Sequence, residues 1–291
     1  MRAARLRYDE IPDVRDCGAP LRCAPRAHEI PVVRDCGAPL RCAPRAHDPI
    51  LLVAHGSSYP RAGATTRALA TAVAAVRPGS VVEASFLDHA GPRPGEVLAS
   101  LRDRGFPSAT VVPLLLTSAY HGRVDIPAVL AKARADGVDL DVRLTDVLGP
   151  VDGRVPAPLL AGLRRRLAET GVPVDSVVLA AAGTRDRAAL TTIELAARAL
   201  GSRLGVPCLP AYASASTPTA GEAVYALRQR GARSVALAAY FLAPGRLYDA
   251  AVESARTAGA VAAAPPLGAL PELVRLVLDR VAGVRGEPVA A

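Results

Sequence analysis

The feature that most constrains the fold of this chain is an internal repeat. Residues 95–97 (Gly-Glu-Val) recur as residues 221–223 (Gly-Glu-Ala), and residues 104–105 (Arg-Gly) recur as residues 230–231, an offset of about 126 residues. In each copy, short apolar runs alternate with amphipathic stretches, a pattern typical of parallel strands joined by helices. The chain is therefore predicted to contain two tandem α/β units.

Each unit is predicted to be flavodoxin-like, with a parallel four-stranded sheet and helices on both faces. We expect the first unit over residues 49–150 and the second over residues 151–285. The predicted strands lie near residues 50–54, 81–87, 109–116, 140–147, 175–181, 207–212, 233–242 and 260–264, and the predicted helices near residues 61–77, 94–104, 125–136, 155–169, 187–204, 218–230, 245–258 and 269–282.

Composition excludes several classes of protein. No apolar run reaches the ~18–20 residues of a membrane span, and the N-terminus lacks the apolar core of a secretion signal. A cytoplasmic protein without a membrane partner is therefore expected. Lys132 is the only lysine, which excludes a phosphate-binding P-loop because that motif needs a lysine after its glycines. The net charge of +8 comes almost entirely from arginine, and aromatic residues make up only 3%. No basic stripe with interleaved aromatic residues indicates a nucleic-acid partner.

An N-terminal extension precedes the repeat. Residues 10–28 and 29–47 are near-identical copies rich in Pro, Gly and Arg, so residues 1–48 are predicted to be disordered. The extension holds four of the five cysteines, namely Cys17, Cys23, Cys36 and Cys42. They are candidates for a zinc or iron–sulfur site, but their Cys-x5-Cys spacing differs from the usual short knuckle. Cys208 falls in a predicted strand and is expected to be a small core residue.

Two of the five histidines follow apolar runs in the first unit. His55 comes directly after the first predicted strand, and His121 lies a few residues beyond the third. In open parallel sheets, ligands bind beyond the carboxyl ends of the strands, where the strand order reverses. In a 2-1-3-4 order the first and third strands are neighbours, so both histidines would face one cleft. Two neutral imidazoles can hold a divalent transition metal such as Fe, Co, Ni or Zn, and one of them can instead accept a proton.

Other polar residues are expected near this cleft. Asp88 and His89 follow the second predicted strand. Asp88 is a candidate third ligand or a group that orients an imidazole, the alternative being a solvated loop acid. His89 has the alternative of an ordinary surface histidine. Gly56 would let the backbone approach a bulky ligand closely, and Ser57 and Ser58 are expected to cap the next helix, whose N-terminus favours anions.

Two segments of the first unit resemble motifs of the CbiX/SirB sirohydrochlorin chelatases, the small class II tetrapyrrole chelatases. They are residues 55–57 (His-Gly-Ser) and residues 113–127 (Pro-Leu-Leu-Leu-Thr-Ser-Ala-Tyr-His-Gly-Arg-Val-Asp-Ile-Pro). The resemblance implies a lyase that inserts Fe²⁺ or Co²⁺ into sirohydrochlorin without ATP, in siroheme or cobalamin biosynthesis. It assigns the two metal-site and catalytic histidines to His55 and His121.

The resemblance extends to a third site residue and to the second unit. The family's acidic residue after the second strand, usually glutamate, would match Asp88 as a further metal-site residue. Residues 240–249 (Tyr-Phe-Leu-Ala-Pro-Gly-Arg-Leu-Tyr-Asp) resemble the C-terminal repeat of long, two-domain members. The repeat is degenerate, because Ala182 stands in place of His55 and no histidine follows Phe241. The chain is therefore expected to carry one metal site.

The tetrapyrrole itself is a polyanion. Arg185 and Arg246 are candidates to bind its carboxylates, because a guanidinium pairs bidentately with a carboxylate; the alternative is that they are ordinary surface arginines. The full set of expected substrate-binding residues is Gly56, Ser57, Tyr120, Arg185 and Arg246.

The expected partners are sirohydrochlorin and a divalent metal that is a substrate, with no tightly bound cofactor. A monomer is expected because the two repeats would form the cleft together. A non-catalytic carrier of metal or tetrapyrrole would use the same two-histidine site and stays an alternative. A serine hydrolase built on Ser57 is disfavoured, because His-Gly-Ser is not the Gly-x-Ser-x-Gly elbow of such enzymes.

Overall fold

The computed structural model describes residues 48–117 and 125–284, all of which fall within one unit, Pro44–Ala291. The first half forms a parallel sheet in the order β2-β1-β3-β4. Its elements are β1 (Ile50–Ala54), α1 (Pro60–Val76), β2 (Val82–Phe86), α2 (Pro94–Asp103), β3 (Ser108–Pro113), α3 (Ile126–Ala135), β4 (Asp141–Leu144) and α4 (Ala157–Ala168).

The second half repeats this arrangement, with a parallel sheet in the order β6-β5-β7-β8. Its elements are β5 (Ser176–Ala181), α5 (Arg187–Leu204), β6 (Cys208–Tyr212), α6 (Ala220–Gln229), β7 (Val235–Ala239), α7 (Arg246–Thr257), β8 (Ala262–Ala263) and α8 (Pro271–Gly283). The predicted fold class, two α/β units with parallel four-stranded sheets, is confirmed.

The apolar runs of the sequence become the central strands. In β1 the first four residues are almost fully buried, and β5 is buried along its whole length. Leu52 pairs in register with Ala84 of β2 and with Val112 of β3. Strands that are covered by helices on both faces need apolar side chains in both directions, and this is why the runs are continuous rather than alternating.

The last helix of each half packs on the other half. Helix α4, which follows β4, contacts α5 and β7, whereas α8, at the end of the second half, contacts α1 and β3. One hydrophobic cluster consequently contains residues of both sheets, including Leu52 and Leu179. The two halves therefore share a core and hold their sheet edges in a fixed mutual arrangement.

Several element ends differ from the sequence-based expectation. The third strand was expected to reach residue 116 and ends at Pro113, although the Leu114 N–H still donates to the Val53 carbonyl of β1 at 2.8 Å. Helix α1 begins at Pro60 with Tyr59 as its N-cap residue, and no side chain caps it. The expected capping by Ser57 and Ser58 is therefore wrong: the Ser57 hydroxyl accepts the Tyr59 N–H at 3.1 Å instead.

Cys208 is partly buried at the start of β6, and burial raises the pKa of its thiol to about 12. A thiol with such a pKa stays protonated at neutral pH and behaves as a small apolar group. The N-terminal extension, with Cys17, Cys23, Cys36 and Cys42, lies outside the described residues.

Candidate active site

A cleft of about 690 Å³ opens at the carboxyl ends of the central strands and is lined by both halves. The loop after β1 contributes residues 54–59, and the loop after β3 contributes residues 114–117. The opposite wall is made of residues 181–184 and 240–248. Ligands of open parallel sheets bind at this edge, and the volume lies in the range of small-molecule sites.

His55 lies at the end of β1 and lines the cleft. Its backbone carbonyl accepts the N–H of Asp88 at 2.8 Å, which ties the loop after β1 to the loop after β2. The ring nitrogen Nδ1 lies 3.2 Å from the carbonyl oxygen of Gly56. A tautomer protonated at Nδ1 donates to this oxygen and places the ring lone pair on Nε2, the arrangement common in metal-binding histidines.

Gly56 follows at a point where no other residue fits. It has φ +96°, and a Cβ built on it would lie 1.8 Å from the carbonyl oxygen of Asp88. The second half repeats this close approach: Gly183 has φ +91°, and its Cβ would lie 1.9 Å from the carbonyl oxygen of Ser214. The loops after the first two strands of each half can touch only because these positions are glycine.

His89 lies directly opposite His55 on the neighbouring loop. Its side chain is 52% exposed and lines the cleft. The two imidazole centroids are 6.5 Å apart, and the ring planes are inclined by 39°. His89 has φ +60°, a left-handed conformation that histidine adopts more readily than most residues. The structure therefore brings the imidazoles of His55 and His89 together, whereas the sequence left open that His89 is an ordinary surface histidine.

Asp88 makes its contacts with His89 and Arg93. One carboxylate oxygen accepts the backbone N–H of His89 at 2.8 Å, and the same oxygen lies 3.8 Å from an Arg93 guanidinium nitrogen. The side chain is 58% exposed and is not part of the cleft lining. The hydrogen bond from the His89 N–H, aided by the positive charge of Arg93, holds the pKa of the Asp88 carboxyl below its usual value.

The other expected substrate-binding residues divide into two groups. Gly56, Ser57 and Arg246 line the cleft, and Arg246 does so from the first turn of α7. Arg185 is exposed and outside the lining. Tyr120 and His121 lie outside the described residues.

Tyr240 is a cleft residue that sequence reasoning missed. It follows β7 in the second half, is 3% exposed, and donates its hydroxyl to the backbone carbonyl of Leu116 in the first half at 3.0 Å. Burial raises the pKa of this phenol well above its ordinary value, so it remains a donor at neutral pH. A buried tyrosine normally finds a hydrogen-bond partner, but the sequence does not tell which carbonyl it reaches.

Tyr240→Phe is expected to lower the free energy of unfolding by about 1–3 kcal/mol, because the carbonyl of Leu116 loses a donor that water does not replace. The measurement is urea denaturation followed by circular dichroism. Tyr248→Phe is the matched control, since its hydroxyl donates to the Ala264 carbonyl at 3.2 Å from a partly buried position and its loss should cost less. Equal losses in the two variants would contradict a special role for the bond between the halves.

Fold and site together define a class of protein: a two-repeat α/β protein with an imidazole-bearing cleft between the repeats and histidines in one repeat only. The family model of CbiX matches this chain over residues 49–161 and 176–284. The chain belongs to the CbiX family, as the motifs of the first half indicate.

Curated relatives match about a third of the chain. A sirohydrochlorin cobaltochelatase of Methanococcoides burtonii is 30% identical over 108 residues, which are 34% of this chain and 82% of that protein. A sirohydrochlorin cobaltochelatase of Saccharolobus solfataricus is 33% identical over 106 residues, covering 34% of this chain and 81% of that protein.

Solved structures share the whole two-sheet fold. SirB from Bacillus subtilis with Fe³⁺ superimposes with a TM-score of 0.71 at 23% identity, over 81% of this chain and 94% of that one. SirB from Bacillus subtilis subspecies spizizenii in complex with cobalt gives a TM-score of 0.68 at 22% identity over the same shares. At this level of identity the likeness concerns the fold.

Two negative observations apply to residues 48–117 and 125–284. No three metal-ligating side chains are grouped there closely enough to enclose an ion. No helix in these ranges has both the length and the apolar character that a bilayer crossing requires.

Proposed function

We propose that this protein is a sirohydrochlorin chelatase that inserts Co²⁺ or Fe²⁺ into the macrocycle. The observation that carries the proposal is the position of His55 in a cleft that both halves line, while the matching position of the second half is Ala182. Curated relatives that match about a third of the chain are sirohydrochlorin cobaltochelatases, and both ions accept imidazole ligands. Membership of the CbiX family supports the same activity.

The chemistry needs a metal donor and a base. Insertion of M²⁺ into the macrocycle releases two pyrrole N–H protons, so charge balances when both protons leave. We propose that His55 and His121 present the metal to one face of the macrocycle. One of these imidazoles accepts a pyrrole proton once it has released the metal, since histidine titrates near neutrality, and the other proton leaves to solvent. Imidazole holds these ions without an enclosing set of charged ligands, which allows the metal to move on to the macrocycle.

The remaining cleft residues fit a flat polyanion. The apolar floor and the wall of residues 240–248 would lie against the ring, and Arg246 at the mouth would bind a peripheral carboxylate. Gly56 and Ser57 are small residues, which would allow the macrocycle to approach His55 closely. Tyr120 is also proposed to bind the substrate, since it follows in the chain shortly after residues 114–117, which line the cleft.

Arg246→Ala is expected to raise KM for sirohydrochlorin on the order of tenfold with little change in kcat, because a charge-assisted hydrogen bond to a carboxylate is lost. Arg185→Ala is the matched control, since this exposed arginine is outside the cleft lining, and its KM should stay within about twofold of the parent value. The measurement is initial rate against sirohydrochlorin concentration. A larger effect from Arg185 would reverse the assignment of the two arginines.

The test of the proposed function is metal insertion itself. Purified full-length protein is mixed anaerobically with sirohydrochlorin and Co²⁺ or Fe²⁺, and the change in the macrocycle absorbance is followed against the spontaneous rate. Turnover of many equivalents per protein supports a chelatase. Stoichiometric binding of metal or macrocycle without any rate gain would refute it and favour a carrier.

A further inference from the structure

The two loops that meet at the cleft differ between the halves at matching positions. His55 corresponds to Ala182, which precedes Gly183 as His55 precedes Gly56, and His89 corresponds to Ala215. His89 and Ala215 both have φ +60°, so the left-handed backbone belongs to the repeated loop and only the imidazole is particular to the first half. The positions of both imidazoles, His55 and His89, are thus occupied by alanine in the second half.

Within the first half, the side chains of Asp88 and His89 have different surroundings. The Asp88 carboxylate is engaged by the N–H of His89 and by Arg93, outside the cleft lining. The ring of His89 is inside the lining and faces His55. A metal held by His55 would therefore meet an imidazole from this loop and not the carboxylate.

The separation of the two rings is close to that of two imidazoles on one ion. With a metal–nitrogen distance of about 2.0–2.1 Å and roughly 1.1 Å from nitrogen to ring centre, two ligated rings have centroids about 4.5 Å apart at a right angle and at most about 6.4 Å apart when they lie on opposite sides of the ion. The observed separation is 6.5 Å. Because the His89 side chain is half exposed, a small rotation about its side-chain bonds is enough to bring both rings onto one ion.

We propose that His89, and not Asp88, is the side chain of the β2 loop that contacts the substrate metal together with His55. Asp88 is then a positioning residue: its second carboxylate oxygen lies 3.5 Å from Nε2 of His89. A carboxylate there favours a proton on Nε2 and the lone pair on Nδ1, as in the carboxylate–histidine pairs of metal sites. This inference rests on the proposed function and departs from the acidic ligand that the family resemblance implied for Asp88.

The test is Co²⁺ binding to the full-length protein without sirohydrochlorin, by calorimetry and visible absorption. Thiolate-bound cobalt shows intense near-ultraviolet charge-transfer bands, which separates any binding by the cysteines from binding by imidazoles. His89→Gly removes the ring and keeps a residue suited to φ +60°. It should weaken Co²⁺ binding about 10–100-fold and change the visible spectrum. Asp88→Asn keeps an oxygen acceptor for the His89 N–H, so it should weaken binding less than His89→Gly does.

Two further variants separate the possible outcomes. Ala215→Gly makes the matching backbone change in the second half and should leave Co²⁺ affinity unchanged. If His55→Ala loses cobalt binding while His89→Gly binds like the parent, the inference is overturned and the proposed function stands. The inference is also overturned, with the proposed function still standing, if Asp88→Asn loses more Co²⁺ affinity than His89→Gly does. If His55→Ala itself binds cobalt normally, the metal site of the proposed function is wrong as well.

Discussion

His55→Ala is expected to reduce the rate of metal insertion by about 100-fold or more, toward the spontaneous reaction. In the proposed mechanism His55 both holds the metal against the macrocycle and shares in proton removal. Loss of a positioned acid–base group alone lowers a reaction rate about 10²–10⁴-fold. The second half cannot compensate, because Ala182 occupies the matching place on the opposite wall. The measurement is the initial rate of the absorbance change under anaerobic conditions.

Two comparisons make this result specific. His121→Ala should reduce the rate by a similar factor, because the proposed mechanism uses both imidazoles on one ion. The stability of His55→Ala should stay close to that of the parent, since the ring is only partly buried and fills no core position. Parent-like turnover by either histidine variant, in protein with an unchanged urea midpoint, would contradict the assignment of that residue.

The class of fold could be predicted because its signals are local and repeated. The apolar runs that became β1 and β5 are buried on both faces, and such runs indicate covered parallel strands without knowledge of the neighbours. The exchange of α4 and α8 between the halves could not be predicted, because an amphipathic helix shows which face is buried but not which sheet buries it.

The sequence could predict which loops form the site, but not the direction in which their side chains point. Adjacency in sequence placed Asp88 and His89 on the same rim, but the turn that directs the His89 ring into the cleft depends on φ +60°, for which the sequence carries no glycine signal. Likewise, Tyr240 is an aromatic residue after an apolar strand, and its bond to Leu116 exists only because the two halves pack together.

Gly56→Ala and Gly183→Ala are each expected to lower the free energy of unfolding by about 2–5 kcal/mol. A left-handed conformation costs a non-glycine residue about 1–2 kcal/mol, and forcing a Cβ into an occupied site adds roughly 1–3 kcal/mol. The new Cβ atoms would lie 1.8 and 1.9 Å from backbone carbonyl oxygens, so the partner loop must move. Gly79→Ala is the matched control: it has φ +81° but no atom within 4 Å of the new Cβ, and it should lose only about 1–2 kcal/mol.

The same pair of variants separates stability from activity. In Gly56→Ala the displaced loop carries His89, which stands 6.5 Å from His55, so Co²⁺ binding and metal insertion should both fall even where the protein is folded. In Gly183→Ala the displaced loop carries Ser214 and no histidine, so folded protein should retain cobalt affinity near that of the parent. Urea denaturation gives the stability loss, and cobalt titration well below the unfolding midpoint gives the effect on the site. Equal stabilities for Gly56→Ala and Gly79→Ala would show that the loops after β1 and β2 do not touch as described. Equal loss of cobalt affinity in Gly56→Ala and Gly183→Ala would show that the loop carrying His89 has no special part in holding the metal.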